Sequence, residues 1–265
     1  MKVVTPVVNN PEFIKAQFHT LKRHMKTPYE FIVFNDAKQF PDSTNFGDES
    51  LHSQIVEMCR QLGIRCINIP NEHHRELTHP GLRHIQSMNY ITQFMFENPD
   101  KYLHIDSDMF LVDAFDIDSF IRYDCAVLLQ TRPGIEYVWP NLFYFNTSNL
   151  KFRELINWNM TPTTDTGGMM EGWLRAYKES CPDNIFYIRH LASCQWGETQ
   201  IPSNIRNPKL LSFLQNDIRN TSDGTFWCEL YNRNVLHYRA GSNWNGEGKE
   251  THMYMTQQLL EALGL

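Results

Sequence analysis

The chain has 265 residues, 20% of them charged, and a formal net charge of −6, which suits one large globular domain rather than a disordered or fibrous chain. With no basic run, nucleic acid is not an expected partner, and six cysteines without a C-x-x-C pair exclude a zinc ribbon. No apolar run has the length of a signal peptide or a transmembrane segment, so a soluble, cytoplasmic protein is expected and the sequons at Asn146, Asn159 and Asn220 are read as chance matches.

Val3 to Val8 reads as a first strand, and Pro11 suits the first position of a helix carrying Phe13, Ile14, Phe18, Leu21 and Met25 on one face. Tyr29 to Phe34 predicts a second strand ending at Asn35-Asp36, followed by a polar, turn-rich stretch. Leu51 to Leu62 predicts a helix closed by Gly63, and Ile64 to Ile69 a third strand. His79-Pro80-Gly81 reads as a break before a helix from Arg83 to Glu97. The histidines His73, His74, His79 and His84 lack the spacing and acidic partners of a metal site and are expected in a polar loop. Strands alternating with helices predict an α/β fold with a mainly parallel, Rossmann-like sheet covered on both faces. Ligands of such sheets bind beyond the carboxyl ends of the strands.

The segment Lys101 to Val112 carries the strongest signal. A buried strand ends in Asp106-Ser107-Asp108, with apolar residues before and after. Two buried like charges need neutralising. Carboxylate oxygens suit Mn²⁺ or Mg²⁺, and at i and i+2 of an extended segment the two side chains point the same way. Asp113, Asp116 and Asp118 are expected to cap turns. Further on, Cys125 to Gln130 and Tyr137 to Asn146 predict strands, and Phe152 to Asn157 a short amphipathic piece. Thr161 to Gly168 predicts a loop opening a helix to about Glu179. Pro182 to Asp223 gives no clear pattern. Val235 to Arg239 reads as a late strand, Gly241 to Gly248 as a loop, and His252 to Leu263 as a closing helix.

This order of elements resembles the nucleotide-sugar-dependent glycosyltransferases of the GT-A fold, over nearly the whole chain. The residues that carry the resemblance are Val3-Val4-Thr5-Pro6, the Arg83 helix, Asp106-Ser107-Asp108, Asp165-Thr166-Gly167-Gly168 and His237 to Trp244. It implies a single GT-A domain, with residues 1–112 binding the nucleotide sugar and 113–265 forming a smaller, mixed acceptor-binding half. The glycogenin-like members carry a late H-x-x-G-x-x-K-P-W pattern. Here His237, Gly241 and Trp244 match, but one extra residue precedes the Gly and Asn243 replaces the Lys-Pro pair, leaving Arg239 as the substitute for a phosphate-binding Lys. The chain is also similar to small transferases of viruses and bacteria that lack a membrane anchor; for a virus-encoded enzyme the compartment is the host cytosol.

The resemblance implies that Asp106, Asp108 and His237 hold Mn²⁺ or Mg²⁺ against the donor diphosphate, Asp106 reaching either the ion itself or else the ribose or a metal-bound water. It places Thr5, Pro6, Asp36, Arg83, Ser107 and Arg239 around the nucleotide sugar, with uridine the favoured base. Asp165 is the candidate catalytic acid, acting on an acceptor hydroxyl or on the cationic sugar centre. Trp139, Asn141 and Trp244 are expected to line the site of a glycan or other hydroxyl acceptor, the indoles stacking on sugar faces. The plain readings are an ordinary turn for Asp106 and Asp108, a helix N-cap for Asp165, a satisfied core histidine for His237, a surface or salt-bridge residue for Arg83 and packing for the two tryptophans. Two other functions compete. A non-catalytic nucleotide- or glycan-binding module has no need of an intact Asp106, Asp108, Asp165 and His237. A sugar nucleotidyltransferase needs a Gly-rich, basic loop after the first strand, where this chain has Val7-Val8-Asn9-Asn10-Pro11.

Overall fold

Short β-branched and aromatic runs joined by amphipathic helices build the first half of the molecule. The computed structural model describes residues 1–42, 44, 47–70, 75–77, 79–192, 205–220, 226–241 and 248–265. Strands β1 (Lys2–Val7), β2 (Glu30–Asn35), β3 (Arg65–Asn68) and β4 (Lys101–Ile105) alternate with helices α1 (Pro11–His24), α2 (Leu51–Leu62) and α3 (Pro80–Glu97). Pro11 opens α1, where a missing N–H costs nothing. Gly63 closes α2 at φ 66°, a left-handed conformation that only glycine adopts cheaply. Helix α3 starts at Pro80 rather than Arg83. His79-Pro80-Gly81 is its beginning and not a break: the His79 ring accepts the Gly81 N–H at 3.1 Å, and Pro80 occupies the first turn.

The rest of the chain supplies β5 (Met109–Leu111), α4 (Asp118–Ile121), β6 (Cys125–Arg132), β7 (Ile135–Asn146), α5 (Glu171–Ser180), β8 (Ile185–Ile188), β9 (His190–Ala192), α6 (Pro208–Asn216), β10 (Glu229–Tyr231), β11 (Val235–His237) and α7 (Lys249–Leu263). A seven-stranded mixed sheet runs β3-β2-β1-β4-β7-β6-β8. Its first four strands are mutually parallel, β7 is antiparallel to both β4 and β6, and β8 is parallel to β6. A second, antiparallel sheet runs β5-β11-β10-β9. Strands from both sides of residue 112 therefore share each sheet.

The two-residue period of β1 sends Val3 and Val7 to one face, with Ile14, Leu21 and Ile55 of α1 and α2. It sends Val4 to the other, with Met88, Ile91 and Met95 of α3 and Trp173 and Leu174 of α5. A third core joins α1, α6, α7 and the second sheet through Phe13, Phe213, Leu236 and Leu259. The described cysteines, Cys59, Cys66, Cys125, Cys181 and Cys228, are unbridged. Among the described residues no helix is long and apolar enough to cross a membrane. From β1 the chain steps outward to β2 and β3, then returns to place β4 on the other side of β1. That reversal opens a crevice at the carboxyl ends of β1 and β4, the usual ligand position in open α/β sheets.

Candidate functional site

Strand β4 delivers its last residues to this crevice. Asp106 to Met109 is not extended, as alternation predicts, but a turn in which Met109 N–H donates to the Asp106 carbonyl at 3.1 Å. The turn is clamped from two sides. The buried amide of Gln17 on α1 donates to the carbonyls of Asp106 and Met109 at 2.7 and 3.1 Å, and Asp106 N–H donates to the Asn141 carbonyl of β7 at 2.8 Å. Both carboxylates still line one cavity, of about 460 Å³.

Leaving the turn, β5 joins the second sheet and fixes a row of polar side chains across it. Met109 pairs with His237 on β11, and His237 with Glu229 on β10. The β10–β11 loop is three residues long, Asn232 to Asn234; the Asn234 N–H donates to the Tyr231 carbonyl at 3.1 Å, and Asn232 and Arg233 both have positive φ, which suits the twist of a tight hairpin. In this register His237 Nε2 lies 3.4 Å from Asp108 Oδ1, and His237 Nδ1 lies 2.8 Å from Glu229 Oε2. Tyr231 donates its hydroxyl to the same Glu229 oxygen at 2.5 Å, and Arg239 Nε lies 3.8 Å from Glu229 Oε1. Asp108 Oδ2 accepts the Gly241 N–H at 2.9 Å. A side chain at Gly241 would meet the Phe13 ring at 2.5 Å and Asp108 Cβ at 2.6 Å, so glycine permits this approach.

Burial alone would raise the pKa of every carboxyl here and lower that of the imidazole. For His237 the charges of Asp108 and Glu229, with the Glu229 hydrogen bond, outweigh burial and push it up to about 10. For Glu229, hydrogen bonds from His237 and Tyr231 outweigh burial and hold it down to about 2. Asp108 is likewise lowered against its burial, chiefly by His237, whereas Asp106 is raised by burial and by the Asp108 charge. The carboxylate beside the cation ionises first, as two acids sharing one site must.

The other end of the cavity is lined by Pro6, Asp36, Arg83, His84 and Ser87. Asp36 accepts from Lys38 Nζ at 2.8 Å and from the Ser87 hydroxyl at 2.6 Å. Lys38 is fully buried, which lowers its pKa against the pull of Asp36. Arg83 is a buried partner, not a surface one: its guanidinium donates to the Asp42 carboxylate and to the Leu77 carbonyl. Asp42 stays below the ordinary carboxylate range; burial raises it, but hydrogen bonds from Arg83 and Thr44 prevail. Thr5 is fully buried and does not line the cavity; the period of β1 puts it on the covered face shared by Val3 and Val7.

Asp165 and Thr166 close the remaining side. Asp165 is exposed, and its carboxylate accepts the Thr166 N–H at 2.7 Å. It does not cap α5, which starts six residues later after a 3₁₀ turn at Gly168–Met170. Gly167, at φ 91°, holds the loop against β7, where a Cβ would lie 2.3 Å from the Val138 carbonyl. Trp139 and Asn141 line the cavity, but Trp139 is only 8% exposed and sets its ring against His237 and Tyr231 at centroid distances of 5.4 and 6.2 Å. Ser107 and Arg239 also line it. Trp244 lies outside the described residues, as do His73 and His74.

Four cavity or network residues have no role at the site in the sequence reading. Glu229 and Tyr231 sit on a strand three residues long, too short to show alternation. Trp227 lines the cavity, with its indole N–H on the Arg239 carbonyl at 3.0 Å and the Arg239 guanidinium 5.2 Å from its ring. His84, expected in a polar loop, lies on α3 and lines the cavity together with Asp106. A Glu inside the apolar run Trp227-Cys228-Glu229-Leu230-Tyr231 was the available signal for Glu229.

A divalent cation fits the donor set at one point. Asp108 Oδ1 is a buried oxygen with no hydrogen-bond partner among the described residues, 3.4 Å from His237 Nε2. Among the described residues no three His, Cys, Asp or Glu side chains group tightly enough to hold a metal alone. Ions of the Mg²⁺ type take one or two carboxylates from protein and complete their shell with substrate phosphates and water. Comparison with protein-family models gives no match to this chain, and comparison with curated proteins gives none either.

Proposed function

We propose that this chain is a metal-dependent glycosyltransferase of the GT-A type, moving a sugar from a nucleoside diphosphate donor, a uridine diphosphate sugar being the favoured one, to a hydroxyl of a glycan or other acceptor. The observation that carries this reading is the buried row Asp108–His237–Glu229, beside Asp106, in the crevice at the carboxyl ends of β1 and β4. Asp106, Asp108 and His237 are the residues that would hold Mn²⁺ or Mg²⁺. Such an ion, when bound, neutralises the diphosphate and the charge that develops on it as the sugar leaves.

The chain's own residues do the rest. Arg239, on the wall beside His237, offers a planar cation to phosphate oxygens. Asp36, held by Lys38 and Ser87, lines the opposite end of the cavity and suits the nucleoside. Asp165 stands on the rim, its backbone fixed by a turn and its carboxylate exposed, positioned to take a proton from an acceptor hydroxyl or to face the cationic sugar. Trp139 and Asn141 shape the wall between these groups. A release assay tests the proposal: incubation with nucleotide sugars should yield nucleoside diphosphate only when Mn²⁺ or Mg²⁺ is added. Release at equal rate with chelator, or none with any donor, would contradict it.

A further inference from the structure

Glu229 does not line the cavity, yet it touches two residues that do. One carboxylate oxygen, Oε2, faces His237 Nδ1 at 2.8 Å and accepts the Tyr231 hydroxyl at 2.5 Å. The other, Oε1, faces Arg239 Nε at 3.8 Å. The sheet makes this arrangement rigid, since Glu229 and His237 are directly paired across the β10–β11 hairpin, and His237 pairs in turn with the residue after Asp108. Trp139 packs against the His237 ring from the main sheet and limits its rotation. An imidazole has two nitrogens, and a carboxylate on one decides which way the other points. Here the carboxylate holds Nδ1, so Nε2 is aimed at Asp108 and the cavity. A buried carboxylate is costly unless paired, and Glu229 stands between two buried apolar side chains, Cys228 and Leu230.

We infer that Glu229 is a positioning residue of the site: it fixes His237 so that Nε2 serves as a ligand for a divalent cation, and it holds Arg239 toward the anionic groups that accompany that cation. This rests on the reading of Asp108 and His237 as metal-holding residues. The carboxylate therefore ties together the cation-binding and anion-binding parts of one site, from outside the cavity.

The test is calorimetric titration of Mn²⁺ alone, then of inorganic pyrophosphate in the presence of Mn²⁺, into wild type, Glu229→Gln, Glu229→Leu and His237→Ala. The second Glu229 variant removes all hydrogen bonding, while Glu229→Gln keeps an acceptor of the same shape and so remains informative if Glu229→Leu fails to fold. Mn²⁺ affinity should fall roughly tenfold in Glu229→Gln and nearer 100-fold in Glu229→Leu, with pyrophosphate binding weakened in both. A merely structural Glu229 would lower the melting temperature and leave the Mn²⁺ affinity of the folded protein unchanged. Wild-type affinity in both Glu229 variants, with loss in His237→Ala, would overturn the inference and leave the metal reading standing. No Mn²⁺ binding by the wild type would remove the metal reading and the inference with it.

Discussion

The two ends of the cavity both bury carboxylates, and they treat them differently. At the β2 end each acid is matched by a cation: Asp36 with Lys38, and Asp42 with Arg83. At the β4 end one imidazole stands against Asp108 with Asp106 alongside, Glu229 takes the far side of that imidazole, and one Asp108 oxygen has no hydrogen-bond partner among the described residues. Removing a partner from a matched buried pair destabilises the fold. An unmatched buried oxygen beside a cavity is a place for something to bind. The difference separates a frame of matched pairs from the centre proposed to hold a cation.

The largest expected effect is at the unmatched end. Asp108→Ala should lower metal-dependent release of nucleoside diphosphate by about 10³-fold or more, while the melting temperature stays near that of the wild type. A large loss of melting temperature would move Asp108 into the frame. At the matched end the pattern reverses. Arg83→Met should cost about 3–5 kcal/mol in denaturant unfolding, and Arg83→Met with Asp42→Leu should recover much of it; failure to recover would mean that the pair does more than match charge. Asp165→Asn should lower turnover by about 10²-fold with donor affinity little changed, and equal loss of both would make it a binding residue. Gly241→Ala pushes a Cβ toward Asp108 and Phe13 and should weaken Mn²⁺ binding roughly tenfold.

The smallest effect is one of pH. Asp42 has a folded-state pKa below its usual 3.8. Its contribution is therefore complete above that value and is lost as pH falls through the lower, folded one. Asp42→Asn lacks this slope, so its stability difference from wild type should narrow on acidification from about pH 5 to about pH 2. A constant difference would show that Arg83 does not depend on the Asp42 charge.

Much of the frame was legible in the sequence because its signals are local. Helix α2 spans the residues its apolar period and Gly63 mark out, and β1, β2 and β4 are mostly apolar runs. Asp106 and Asp108 stood out because charges seldom interrupt such a run. Their geometry did not, since the turn is imposed by Gln17 and Asn141 from elements far away in sequence. The Pro80 start of α3 was hidden by the double meaning of Pro, which opens helices as well as ending strands of pattern. Glu229 was out of reach for a different reason. Its partner His237 is set by the register of a hairpin whose strands have three residues each, and no period is readable at that length. Arg83 illustrates the same limit, because its carboxylate partner lies 41 residues away.

The most direct measurement is calorimetric titration of UDP-, GDP-, CMP- and dTDP-sugars into the protein, each with and without Mn²⁺. One nucleotide should bind, and only when Mn²⁺ is present. Binding of no donor, or equal binding without metal, would contradict the assignment of Asp106, Asp108 and His237 as a single metal-dependent donor site.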